Sequence, residues 1–212
     1  MREAEIKSYE KLNELAEQGG IVIFGSGADK DIPTGEIRQA FAVESKIYNR
    51  SFENLSVTEA VSIYEKVIAP LAPETVMIHI GEADLGIFAE KPTEFDNKYL
   101  ELIKSIKAQN NKSRIAVVSL KNYDSDPKIA EMNKHLKYVA DSEKCEYGDI
   151  SAKKVWNPKA SMDAASFVYS IGFVHPLKNK RPLYDLVKML FATKHKKRGG
   201  REIRISLPPC FA

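Results

Sequence analysis

The stretch Ile21-Val22-Ile23-Phe24-Gly25-Ser26-Gly27 (residues 21–27) decides the fold of this chain. Four consecutive apolar residues, three of them β-branched, run without a polar break into two glycines that flank a serine. A short apolar run of this kind, bounded by turn residues, reads as a strand buried on both faces. A strand with one wet face would alternate instead. Two further runs match it: Thr75 to Ile80, closed by Gly81, and Arg114 to Leu120. A weaker one spans Lys46 to Tyr48, and Glu146-Tyr147 opens a fifth.

Helical spacing of apolar residues fills the intervals, at about 34–43, 56–69, 93–109 and 127–142. Residues 3–18 carry Ile6, Leu12, Leu15 and Ala16 at the same spacing and stop at Gly19-Gly20. Ser56 precedes Glu59 in the Ser-x-x-Glu order of a capping box. Strands alternating with helices of this length imply βαβ units, hence a parallel sheet covered by helices. In such sheets ligands bind beyond the carboxyl ends of the strands. That rule marks Gly25-Ser26-Gly27, Asn49-Arg50-Ser51 and Gly81-Glu82-Ala83-Asp84 as edges of one cleft.

From 150 to 176 the pattern loosens, so a long loop or short helices are expected there, with Trp156 lining the cleft or, the favoured expectation, anchoring the packing. Residues 181–192 repeat Leu183, Leu186, Val187 and Leu190 as a last amphipathic helix. The expected organisation is one domain over 1–192 and a basic tail over 193–212. In the tail Lys194, Lys196, Lys197, Arg198, Arg201 and Arg204 crowd together without interleaved aromatics, and Ile203, Ile205 and Leu207 alternate behind them. Such a run reads as solvated rather than as a nucleic-acid site.

The 212 residues, 43% hydrophobic and 29% charged, suit one packed domain. A chain of this size buries roughly 70% of its unfolded surface and needs no disulfide or metal to fold. Its two cysteines, Cys145 and Cys210, give no disulfide framework, and they read as a core thiol and a tail thiol. No Cys/His cluster has zinc-ligand spacing, and neither a metal nor a cofactor is expected. The charged N-terminus lacks the apolar stretch of a signal peptide, and no apolar run reaches membrane-spanning length. The expected setting is the cytoplasm, with no membrane partner. The net charge of +3 names no partner, and oligomeric state is not legible.

The order of blocks resembles the SGNH (GDSL-type) hydrolases over roughly residues 20–192. IVIFGSG is similar to the family's first strand and its Gly-Asp-Ser. Asn49-Arg50-Ser51 looks like the Asn-Arg-Gly block, and Gly81-Glu82-Ala83-Asp84 like Gly-x-Asn-Asp. IAEMNKHLKYVADSEKCEYGDIS is similar to the family's helix with an internal Asn and the strand after it. SIGFVHPLKNKRPLYDLVKML resembles the terminal Asp-x-x-His block, with His175 in the His place. The resemblance implies a three-layer α/β/α sandwich around a five-stranded parallel sheet in flavodoxin-like order 2-1-3-4-5. It also implies an ester or acyl hydrolase lineage.

The departures fall on the chemistry. Aligned without a gap, Gly27 stands at the nucleophile position and Ser26 at the Asp before it. Ser51 replaces the glycine whose N–H serves the oxyanion, Ala83 the oxyanion Asn, and Gly172 the Asp that orients the histidine. Acyl transfer needs a nucleophile, a base, an orienting group and oxyanion donors, so weak or absent activity is expected. Two readings stand. One is a feeble hydrolase of a small ester, using Ser26 with His175. The other is a non-catalytic ligand- or partner-binding domain, whose rim residues Asn49, Arg50, Ser51, Glu82 and Asp84 meet a polar ligand. Arg50 could fix an anion, but pairing with Glu82 or Asp84 is the favoured expectation.

Overall fold

The apolar runs form strands, and they do so because each can bury both of its faces. In a computed structural model, which describes residues 2–40, 43–122 and 125–151, the strands are β1 (Ile21–Gly25), β2 (Ile47–Asn49), β3 (Thr75–His79), β4 (Arg114–Val118) and β5 (Glu146–Gly148). They make one parallel sheet in the order β2-β1-β3-β4-β5. This is the expected 2-1-3-4-5 arrangement. Every residue of β1 and β3 is buried, as continuous apolar strands in the middle of a parallel sheet require.

Six helices accompany the sheet among the described residues: α1 (Arg2–Asn13), α2 (Thr34–Ala40), α3 (Val57–Ile63), α4 (Leu85–Glu90), α5 (Pro92–Gln109) and α6 (Pro127–Ser142). The sequence pattern does not anticipate α4, because six residues are too few for helical periodicity to register. The helix expected over 56–69 is shorter. It gives way at Tyr64 to a wider turn over Tyr64–Ile68 and a tight one over Ala69–Leu71. Ser56 caps α3 by accepting from Thr58 N, whereas the Glu59 carboxylate pairs with Arg2 at 3.0 Å.

The pleat divides the core in two. Val22, Phe24, Val76, Ile78, Ile115 and Val117 face α3, α5 and α6, which contribute Val57, Ile63, Phe95, Tyr99, Leu102, Ile103, Ile106, Met132, Leu136 and Val139. Each large apolar side chain so buried is worth about 1.5–3 kcal/mol. Ile23, Met77, Ala116 and Val118 point the other way and pack with Ile150. Asn133 on α6 ties the core to the end of β4. Its amide accepts from Leu120 N at 2.7 Å and donates to Leu120 O at 2.9 Å, satisfying a backbone that has just left the ladder.

No helix of the described residues is long and apolar enough to cross a membrane. His175, Gly172, Trp156, Cys210, the expected helix at 181–192 and the basic tail lie outside the described residues.

Candidate strand-end site

Parallel order brings the carboxyl ends of β2, β1 and β3 side by side, and with them the three segments that follow these strands. What the polar residues of those segments do there is set by their hydrogen bonds. Asn49 ends β2 and turns its amide inward. It donates to Asp29 O at 2.6 Å and Lys30 O at 3.1 Å, and its carbonyl accepts from Ser51 N at 3.1 Å. Ser51 in turn accepts Gly25 N on its hydroxyl at 3.0 Å, in a buried position. The N–H of Ser51, which the resemblance places at the oxyanion, is therefore already taken by Asn49.

Arg50 corrects the expected ion pair. Its guanidinium reaches neither Glu82 nor Asp84. It donates from Nε and Nη2 to Asn13 Oδ1 at 2.9 and 2.8 Å, and from Nη1 to Asn49 O at 2.8 Å. The Tyr9 and Tyr48 rings lie 5.2 and 5.5 Å from its centre. Burial pulls its pKa down from the usual arginine value, although the guanidinium keeps its charge. Cation–π contact and a fork of hydrogen bonds to Asn13 hold it instead. The sequence offered no signal for this, because Asn13 and Tyr9 lie on a helix far upstream.

Asp84 is likewise turned inward. Its carboxylate accepts from Ser56 Oγ at 2.5 Å and Val57 N at 3.0 Å, bracing the first turn of α3. Burial pushes its pKa up against those two hydrogen bonds. A carboxylate so engaged is a helix brace rather than a ligand contact. Glu82 alone of the acidic pair is exposed. One of its oxygens stands 3.3 Å from where a side chain at position 27 would begin.

That position carries no side chain. Gly27 has φ +59, the left-handed region that favours glycine, and its N–H donates to Phe52 O at 3.2 Å. The neighbouring Ser26 is extended and 5% exposed. Its hydroxyl accepts from Leu55 N at 3.0 Å, so it faces the following loop rather than open space. Ala83 is exposed and brings no amide. The structure thus brings Ser26 and the segments after β2 and β3 to the strand ends, with Ser26 and Asp84 buried and engaged by Leu55 N, Ser56 and Val57 N.

Two residues the sequence reading passes over occupy the centre. His79 is the last residue of β3, opposite Gly25 of β1. Asp29 lies in the tight turn Gly27–Asp31 that follows β1. Their side chains meet at 2.6 Å, His79 Nδ1 to Asp29 Oδ2, with exposures of 8% and 10%. Gly25 is required by this pair, since a Cβ there would overlap the Asp29 carboxylate. Burial by itself lowers the His79 pKa, but the charge and hydrogen bond of Asp29 outweigh it and leave the value raised. The other ring nitrogen, Nε2, is buried without a hydrogen-bond partner. The signal available in the sequence was a lone histidine inside the apolar run Thr75-Val76-Met77-Ile78-His79-Ile80. A polar residue in a strand buried on both faces must find a partner.

Among the described residues no group of three or more His, Cys, Asp or Glu side chains is arranged to hold a metal ion. No family model matches the sequence, and no curated protein does. Solved structures do match. A Streptococcus pneumonia protein provisionally described as a platelet activating factor superposes with TM-score 0.66 at 16% identity, covering 87% of this chain and 92% of that one. A GDSL-like lipase from Bacteroides thetaiotaomicron gives TM-score 0.60 at 16% identity, over 89% and 96%. The psychrotrophic esterase EstA from Pseudoalteromonas gives 0.60 at 15%, over 83% and 100%. The chain has the fold of the SGNH/GDSL-type hydrolases.

Proposed function

We propose that this chain, of ester-hydrolase lineage by its fold, binds a small polar ligand at its strand ends and does not hydrolyse esters through a serine. One observation carries this reading: Gly27 stands where the resemblance puts the nucleophile, and the hydroxyl of its neighbour Ser26 is buried and engaged by Leu55 N. The oxyanion side supports it. Gly27 N donates to Phe52 O and Ser51 N to Asn49, while Ala83 has no donor to offer. Loss of a single oxyanion donor typically slows acyl transfer about 100- to 1000-fold. Together with a missing nucleophile, such losses leave little above the uncatalysed rate.

The competing reading, weak hydrolysis by Ser26 with His175, requires Ser26 to turn away from Leu55 and present its oxygen to an ester. A fluorophosphonate probe, followed by mass spectrometry of the intact chain, separates the two. The expected result is no adduct, with p-nitrophenyl acetate turnover equal in the native chain and in Ser26→Ala. An adduct on Ser26, or turnover that Ser26→Ala abolishes, overturns the binding reading.

A further inference from the structure

We propose that α1 is a detachable strap: in a minor native state it leaves the sheet as a unit, and its leaving uncovers the guanidinium of Arg50 at the end of β2. The inference stands apart from the binding reading, since it concerns access to the strand ends and not what is bound there.

The helix is held differently from those of the core. α3, α5 and α6 each bury three or more side chains, whereas no residue of α1 is buried. Ile6 and Tyr9 rest partly buried on the core, with Tyr9 edge-on to Phe52 at 5.1 Å. The other contacts of α1 with the described residues are polar, and most fall on the segment after β2. Arg2 donates to Glu53 O at 3.0 Å and Asn54 O at 3.1 Å and pairs with Glu59. Tyr9 Oη donates to Ser51 O at 2.7 Å. Asn13 takes the Arg50 fork on Oδ1 and donates to Val67 O at 2.6 Å, and Glu5 pairs with Lys30. Water can replace most of these contacts, so they hold the helix weakly. A helix of 12 residues is marginal on its own, so α1 melts as it leaves.

Arg50 tips the balance toward release. It is 6% exposed, and its acceptors, Asn13 Oδ1 and Asn49 O, are neutral. Covering a charge removes hydration that neutral acceptors restore only in part. Docking therefore sets the Tyr9–Phe52 contact and the polar contacts against the hydration of one guanidinium, and release returns that hydration. The chain supplies the pivot. Gly19 and Gly20 have φ +93 and +74, Gly19 N donates to Leu71 O at 2.7 Å, and Gly20 O accepts from Glu74 N and Thr75 N. From Gly19 onward the chain is thus fixed to the sheet, while upstream Glu17 meets the Tyr48 hydroxyl and Lys46 at the surface.

The test is native-state hydrogen exchange of the full chain by mass spectrometry, beside the initial rate at which phenylglyoxal, an arginine reagent, labels Arg50. Arg2→Ala is the variant, because Arg2 touches Glu53, Asn54, Glu59 and Phe52 rather than Arg50. In the native chain we expect α1 amides to exchange about 100-fold faster than those of β1 and β3, with a weaker dependence on urea. Arg2→Ala should raise α1 exchange and Arg50 labelling together, each about tenfold, as loss of hydrogen bonds from a charged donor does. Protection of β1 and β3 in the same measurement reports that the variant is folded. Equal exchange of α1 and the two strands overturns the proposal, since the helix would then leave only when the whole chain unfolds. A variant that speeds α1 exchange but not the labelling of Arg50 also overturns it, because fraying of the helix does that without uncovering the arginine. So does a variant that changes neither.

Discussion

Two histidine–aspartate pairs of nearly the same length stand in opposite settings among the described residues. Asp29–His79 joins a turn to the end of a central strand at 2.6 Å, with side chains 10% and 8% exposed. Asp96–His135 joins α5 to α6 at 2.8 Å, with side chains 16% and 29% exposed and the His135 ring edge-on to Phe88 at 5.0 Å. The outer pair can exchange its partner for water, so its loss leaves nothing stranded. The inner pair cannot. The same two residue types are thus an adjustable surface contact in one place and an obligate unit in the other, and burial makes the difference.

The largest effect should come from breaking the inner pair. Asp29→Ala leaves an uncompensated buried imidazole and should cost about 3–5 kcal/mol in urea unfolding. A loss as small as that of the outer pair would mean that water reaches His79 and that the contrast is false. Gly25→Ala attacks the same pair without removing either partner, by driving a methyl group into the Asp29 carboxylate. Overpacking of this kind costs about 1–3 kcal/mol. In the double variant Gly25→Ala with Asp29→Ala, the glycine's effect should largely vanish, because residues in contact are not additive.

A third measurement uses pH. His79 has its folded pKa raised because Asp29 more than offsets its burial. Its contribution to stability is therefore complete below the unfolded value of about 6.5 and is lost as pH rises through the higher folded value. The urea midpoint of the native chain should fall as pH rises above about 6.5, more steeply than that of His79→Gln. Parallel curves would show that the pair does not titrate as a unit. The smallest effect belongs to the outer pair. Asp96→Ala should change stability by about 1 kcal/mol or less, more weakly in high salt.

This contrast also separates what local sequence reveals from what it conceals. The five strands and the strand order were legible, the first from apolar runs closed by Gly25 and Gly81, the second from the block order shared with the SGNH hydrolases. The placing of the three segments after β1, β2 and β3 at one end of the sheet was legible too, because each directly follows a parallel strand. The roles of the rim residues were not. Arg50 was expected beside Glu82 or Asp84 and instead meets Asn13, 37 residues upstream. Ser26 was a candidate nucleophile, yet its hydroxyl holds Leu55 N, 29 residues downstream. The proposed role of His175 lies beyond the described residues.

By itself, then, the sequence determined where this chain is apolar and where it turns, and hence a parallel α/β sheet. Apolar runs and glycines act over a few neighbouring residues, so their meaning survives without knowledge of the fold. Only the tertiary structure decided which polar groups face one another. Asp29 and His79 are 50 residues apart, and they meet because the register of β1 on β3 sets Gly25 opposite His79, where the missing side chain leaves room for a carboxylate. Hydrogen bonds are short and directional, so their partners are fixed by packing to within a few tenths of an ångström, which no local pattern encodes.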